Sequence, residues 1–247
     1  MICRLCLLAI AAVELSACAF WGMSDWSDNS TGESLVARDR FERTESGSLG
    51  ASEVGGPWTL GGRVDEVSVA DGAAHLPARV AETLTAVLRE VSALDVDATV
   101  SIAVPEAPDG NGVYLSLVAR VMDDAGDLGY RLSVNLDEGG QVTQSLKALD
   151  EAPLDNDVVT FGAAYTPGAI IRLRMQVEGE SPTRLRARVW LAAEPEPEVW
   201  AIEADDSTAE LQSAGGLGLT VYTSSTATRS GDYTFDELEA TPVSPAE

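Results

Sequence analysis

Several residue types that enzymes commonly rely on are scarce in this chain. Its three cysteines, Cys3, Cys6 and Cys18, all fall near the start, so the body has neither a disulfide framework nor a cysteine metal site. His75 is the only histidine. Ser-His-Asp and Cys-His mechanisms would both depend on it, yet "DGAAHLPAR" offers no G-x-S-x-G or other nucleophile motif nearby. A lone histidine is more often packed or on the surface than catalytic. Lysine occurs once, as Lys147, beside fifteen arginines. "GGLGL" at 215–219 is not followed by Lys-Ser/Thr, so it is no phosphate loop; its glycines permit a turn into a strand. Positive charge is scarce overall: the formal net charge is −24 and the pI about 4.2. That balance excludes nucleic acid as a natural partner and disfavours electrostatic adhesion to anionic lipid.

No apolar run reaches the length of a membrane span. The longest, "LCLLAIAAV", follows Arg4 and precedes Leu15-Ser16-Ala17-Cys18, and reads as the h-region of an export signal. The ending resembles a bacterial lipobox, which would make residues 1–17 a signal peptide and Cys18 a lipidated N-terminus at a membrane face. Glu14 is unusual so close to such a site, and a plain secretory signal is the alternative. Residues 18–37, rich in Ser, Asp and Gly, read as a tether carrying Trp21 and Trp26. Residues 38–241 form the folded body, and 242–247 a short tail.

The body is 45% hydrophobic by the whole-chain composition, enough for a sizeable core. Alternating apolar and polar residues recur in short runs broken by Gly, Asp, Asn and Pro, the pattern of strands. "GVYLSLVARVM" is one such run. A hairpin is expected across Asp137-Glu138-Gly139-Gly140, and a second turns at Glu178 to Pro182. "RVAETLTAVLREVSAL" has partly helical spacing, but its neighbour "LDVDATVSIAV" is plainly a strand, and part of the first is assigned as strand too. Turn signals every ten or so residues point to an all-β antiparallel sandwich of the jelly-roll kind.

One feature of the pattern conflicts with the acidic composition. "IRLRMQVEGESPTRLRARVW" places Arg172 and Arg174, then Arg184, Arg186 and Arg188, at alternate positions. Alternation puts them on one sheet face with Trp190, while Ile171, Leu173, Met175 and Val177 take the other. Arg120 and Arg131 are expected to join from neighbouring strands. A guanidinium fork suits carboxylate or sulfate, so the stripe is a candidate site for an acidic polysaccharide. The alternative is that these arginines pair with some of the chain's forty Asp and Glu residues.

"RDRFERTESGSLGASEVGGPWTLGG", "YLSLVARV", "GYRLSV", "LRMQVEGESPTRLRARVW", "EPEVW" and the closing "GLGLTVYTSSTATRSGDYTFDEL" together resemble the concanavalin A-like lectin/glucanase superfamily, laminin-G-like jelly rolls in particular. The likeness covers about Asp39 to Ala240 and rests on an opening D-x-F-x-R … G-x-W and a closing F-D-x-L. It implies sugar binding on a concave sheet and a structural Ca²⁺ where first and last strands meet, with Asp39 and Asp236 as candidate ligands. Otherwise Asp39 caps a turn and Asp236 faces solvent. The glucanase members carry E-x-D-x-x-E on one strand, which is missing here; "EPEPEVW" reads as a loop because its prolines interrupt any ladder. The expected function is a non-catalytic surface module binding carbohydrate. An envelope or tail-fibre adhesion protein is the alternative, and a hydrolase or lyase with an unfamiliar site the third reading.

Overall fold

A computed structural model of the chain describes residues 34–123, 128–148, 154, 159–160 and 165–243. Glu33–Glu247 is one compact unit; Met1–Gly32, on which Cys18 and most of the expected signal and tether segments fall, lies outside the described residues.

The first strands are β1 (Ala37–Asp39), β2 (Glu45–Ser46), β3 (Trp58–Gly61), β4 (Ser68–Ala70), β5 (Ala73–Ala78), β6 (Thr83–Ala93), β7 (Val96–Ala103) and β8 (Val113–Val121). They continue as β9 (Tyr130–Leu136), β10 (Val142–Lys147), β11 (Val159–Thr160), β12 (Ile170–Glu178), β13 (Thr183–Leu191), β14 (Ile202–Asp206), β15 (Gly215–Thr223) and β16 (Gly231–Thr241). A nine-stranded sheet runs β14-β13-β12-β7-β16-β5-β4-β2, with β1 also paired to β16. A seven-stranded sheet runs β11-β10-β9-β8-β15-β6-β3. Together they form an antiparallel jelly-roll sandwich, the architecture implied by the resemblance.

Period-2 alternation builds the core between the sheets. Ile171, Leu173, Met175 and Val177 of β12 face Leu115, Leu117, Leu132 and Val134 of the other sheet within one continuous cluster. Both expected hairpins form, β9–β10 and β12–β13. The half-helical run is the long strand β6. Its outward Val87 is buried with Val118 and Val121 in a small cluster on the outer face, so burial on both faces blurs the alternation.

A bulge shapes the end of β8. Arg120 has φ of 51°, and the pairing of β8 with β15 shifts register between Gly216 and Leu217. A Cβ on Gly215 would lie 2.6 Å from the Arg120 carbonyl carbon, so only glycine allows this approach. The bulge turns Arg120 inward and Val121 outward.

Candidate functional site

The outer face of the seven-stranded sheet carries three transverse rows of side chains. The middle row is Thr85, Thr220, Ser116, Ser133 and Ser145, which are register partners across β6, β15, β8, β9 and β10. All are small and buried. On one side lies the row Thr83, Tyr222, Tyr114 and Asn135, set by the same registers. On the other lie Lys147, Arg131, Val118 and Gly218. Adjacent rows are two residues, about 7 Å, apart along the strands. Low hydroxyls between taller flanks leave a hollow of about 510 Å³.

Tyr114 and Tyr222 are direct cross-strand partners, their ring centroids 5.9 Å apart at 37°. The Lys147 ammonium reaches diagonally to 5.9 Å from the Tyr114 ring centre. No Asp or Glu is among the described residues lining the hollow, in a chain with forty of them. The floor offers hydroxyl donors and acceptors, the tyrosines apolar faces, and the third row positive charge. Such a mixture of aromatic surface and convergent polar groups is that of a small-molecule or sugar site.

The arginine stripe lies elsewhere, on the outer face of the nine-stranded sheet, and acidic neighbours occupy it. Arg174 forks onto Asp97 at 2.8 and 2.5 Å and reaches Glu196 at 2.7 Å. The Asp97 bond and the charge of Glu196 hold its pKa above the usual arginine value. Arg172 pairs with Glu237, Arg188 with Glu196, and Arg184 with Glu203. Arg186 lies 3.6 Å from Glu203 and donates to Gln176. The loop 192–200 closes over this face, with Trp200 stacked 4.1 Å from the Arg188 guanidinium and Arg188 donating to the Pro197 carbonyl. Trp190, buried, presents no platform.

The stripe therefore does not gather the arginines expected of it. Arg131 stands on the opposite sheet, in the cation row. Arg120 is wholly buried at one end of the sandwich. It donates to the carbonyls of Leu94, Leu211 and Gly179 and to Thr183 Oγ1, at 2.6–2.9 Å. Burial lowers its pKa from the usual value. That guanidinium ties together turns from both sheets and is closed to ligand.

Asp39 is corrected as well. Its buried carboxylate accepts a fork from Arg43, with both bonds 2.7 Å, a bond from Trp58 Nε1 at 2.7 Å and the Phe41 amide at 2.9 Å. Phe41 and Trp58 stack with centroids 6.1 Å apart. The D-x-F-x-R … G-x-W pattern is thus a structural knot. Four hydrogen bonds on its two oxygens fill the acceptor sites of the Asp39 carboxylate, and the Arg43 charge repels a divalent cation, so Asp39 does not fit calcium here. Asp236 sits at a bulge of β16, accepting from the Glu237 amide; burial raises its pKa. Among the described residues no group of three or more His, Cys, Asp or Glu could hold a metal ion. His75 bonds Asp232 at 2.8 Å on the outer face of the nine-stranded sheet, opposite the hollow.

Tyr114, Tyr222, Lys147 and the hydroxyl row were not predicted from the sequence. Their signal is a Ser or Thr at the outward phase of successive strands, in "YLSLV", "RLSVN", "TQSLK" and "LTVY".

No protein-family model matches the sequence, and no curated protein does. Solved structures share its architecture. A glycosyl hydrolase family 16 protein from Mycobacterium smegmatis aligns with a TM-score of 0.54 at 15% identity, over 84% of this chain and 100% of that one. The exoplasmic/lumenal domain of VIP36 in a Ca²⁺/Man2-bound form gives 0.52 at 11%, over 85% and 91%. Carbohydrate binding module CBM66 from Bacillus subtilis gives 0.50 at 17%, over 74% and 94%. Identities this low establish a common fold, one that serves a hydrolase and a binding module alike.

Proposed function

We propose that this chain is a non-catalytic carbohydrate-binding module whose site is the hollow on the seven-stranded sheet. One observation carries the reading: a pair of adjacent tyrosines beside a row of hydroxyls that crosses five strands. Pyranose rings have apolar faces that pack on tyrosine and equatorial hydroxyls that exchange hydrogen bonds with Ser and Thr. The fold neighbours named for carbohydrate binding or glycosyl hydrolysis support the ligand class. Glycoside hydrolysis uses two carboxylates flanking the scissile bond; the described residues lining the hollow are Ser, Thr, Tyr and Asn with Arg131 and Lys147, groups that bind a sugar by stacking and hydrogen bonds.

A glycan array probed with the full chain tests this. Binding should appear, and Tyr222→Ala should weaken it at least about tenfold. Incubation with any bound glycan should release neither new reducing ends nor unsaturated products. Turnover abolished by Tyr114→Phe or Tyr222→Phe would make the protein an enzyme instead.

Within the same reading the module works outside the cytoplasm, held at a membrane through a lipidated Cys18, the residue that closes the lipobox-like Leu15-Ser16-Ala17. Cells fed a labelled fatty-acid analogue should label the wild-type protein and not Cys18→Ala. Label retained by the variant would remove the anchor from the proposal.

A further inference from the structure

The turn Asp109-Gly110-Asn111-Gly112, which leads from β7 into β8, is tied down at one edge of the hollow. The Asn111 amide donates to Thr226 Oγ1 at 2.8 Å, and the Asn111 carbonyl accepts from Asn135 Nδ2 at 3.0 Å. The Gly112 amide closes the turn onto the Asp109 carbonyl, and the Gly112 carbonyl accepts from the Ser224 amide, both at 3.0 Å. The Asp109 carboxylate accepts from the amide and the hydroxyl of Thr228, stitching this loop to the one that joins β15 and β16. Neither glycine tolerates a side chain. Gly110 and Gly112 have φ of 57° and 78°, and a Cβ would lie 2.5 Å from the Thr226 carbonyl oxygen at the first and 1.8 Å from the Leu136 carbonyl oxygen at the second. What this fixed backbone presents is the Asn111 side chain, which is exposed, lines the hollow and makes no hydrogen bond to another described residue. It stands on the tyrosine side, since Asn135, which holds its carbonyl, is the register partner of Tyr114.

From this we infer that Asn111 is the specificity-determining residue of the hollow, its carboxamide reading two adjacent hydroxyls of a sugar ring packed on Tyr114 and Tyr222. The inference rests on the carbohydrate reading above and specifies which feature of the sugar is selected. A ring lying on tyrosine carries its equatorial hydroxyls around its edge. A carboxamide holds an acceptor oxygen and two N–H donors side by side, so it accepts from one hydroxyl and donates to the next. Inverting either carbon turns that hydroxyl away and leaves half of the amide unpaired. A site built to hydrogen-bond a polar group rejects the analogue that misplaces it in this way. Stacking responds to the apolar face of the ring and not to whether two neighbouring hydroxyls find partners, so the tyrosines supply affinity and Asn111 selection. The stitched loops meet the other requirement. A side chain carried on a fixed backbone has only its own torsions to order on binding.

The test measures the affinity of the full chain for gluco-, manno- and galacto-configured tetrasaccharides, each in α- and β-linked form. The manno and galacto rings each differ from gluco by inversion at one carbon. Within one linkage the preferred configuration should bind about tenfold tighter than the others. Asn111→Ala, and the isosteric Asn111→Asp that lacks the N–H donors, should bring the three within about threefold; thermal melting checks that each variant is folded. Tyr222→Ala should weaken every configuration and keep their order. A preference that survives in either Asn111 variant would overturn the inference, as would equal wild-type affinities for the three configurations. Loss of the preference in Tyr222→Ala would assign selection to stacking and overturn it too. These results leave the carbohydrate reading intact so long as Tyr222→Ala still weakens binding. Failure of every tetrasaccharide to bind would overturn the inference, and a blank glycan array beside it would overturn the carbohydrate reading as well.

Discussion

Arg120 is wholly buried, with three carbonyls and one hydroxyl as its acceptors. Replacing it leaves those acceptors without donors in a dry region, which is the expensive way to remove a hydrogen bond. Arg120→Met should therefore lower unfolding free energy by about 3–5 kcal/mol in urea titration. A change under about 1 kcal/mol would mean that the clamp holds little together. Its neighbour Tyr130 gives a pH signature. Burial, helped by the adjacent Asp206 carboxylate, pushes the Tyr130 pKa up to about 12. The unfolded tyrosine titrates near 10, so its contribution to stability is whole below about pH 10 and is lost as pH rises through 12. Melting temperature should fall more steeply between pH 10 and 12 in the wild type than in Tyr130→Phe.

The β12–β13 hairpin and the seven-stranded sheet account for most of what the sequence made legible and what it hid. Alternation in "RLRMQV" and "RLRARV" assigned each side chain to the correct face, since period 2 needs no knowledge of partners. Neighbours are another matter. Asp97, Glu203 and Glu237 come from β7, β14 and β16, and Glu196 from the loop that follows β13, so the fate of the stripe depends on strand order. Arg120 misled because one left-handed residue reverses the phase of a strand, and nothing in "LVARVM" marks it. The hydroxyl row is written in separate strands far apart in sequence and becomes a row only through register. At the level of the element, the loop 192–200 depends on its stack against Arg188. Trp200→Ala should cost about 1–2 kcal/mol and open that loop to proteolysis. An unchanged cleavage pattern would show that the loop is held by other contacts.

For the molecule as a whole, the excess of negative charge makes the placement of the few cations informative. Most arginines with described partners neutralise carboxylates of the same chain, as on the stripe and in the Asp39 knot. The Arg43 guanidinium supplies internally the positive charge that a cation would otherwise bring to Asp39. Adding calcium or a chelator should thus leave the melting temperature unchanged, while Arg43→Ala should destabilise by about 3–5 kcal/mol by stranding a buried carboxylate. A calcium-dependent rise of several degrees would locate a metal site away from Asp39.

The two outer faces of the sandwich are rival binding surfaces, and one comparison separates them. Binding isotherms for an oligosaccharide that binds on the glycan array would be recorded for the wild type, Tyr114→Ala/Tyr222→Ala and Arg174→Ala/Arg186→Ala. The site on the seven-stranded sheet predicts that the tyrosine variant loses at least about tenfold in affinity while the arginine variant binds as the wild type does. Loss confined to the arginine variant would contradict it and return the ligand to the face now covered by the 192–200 loop.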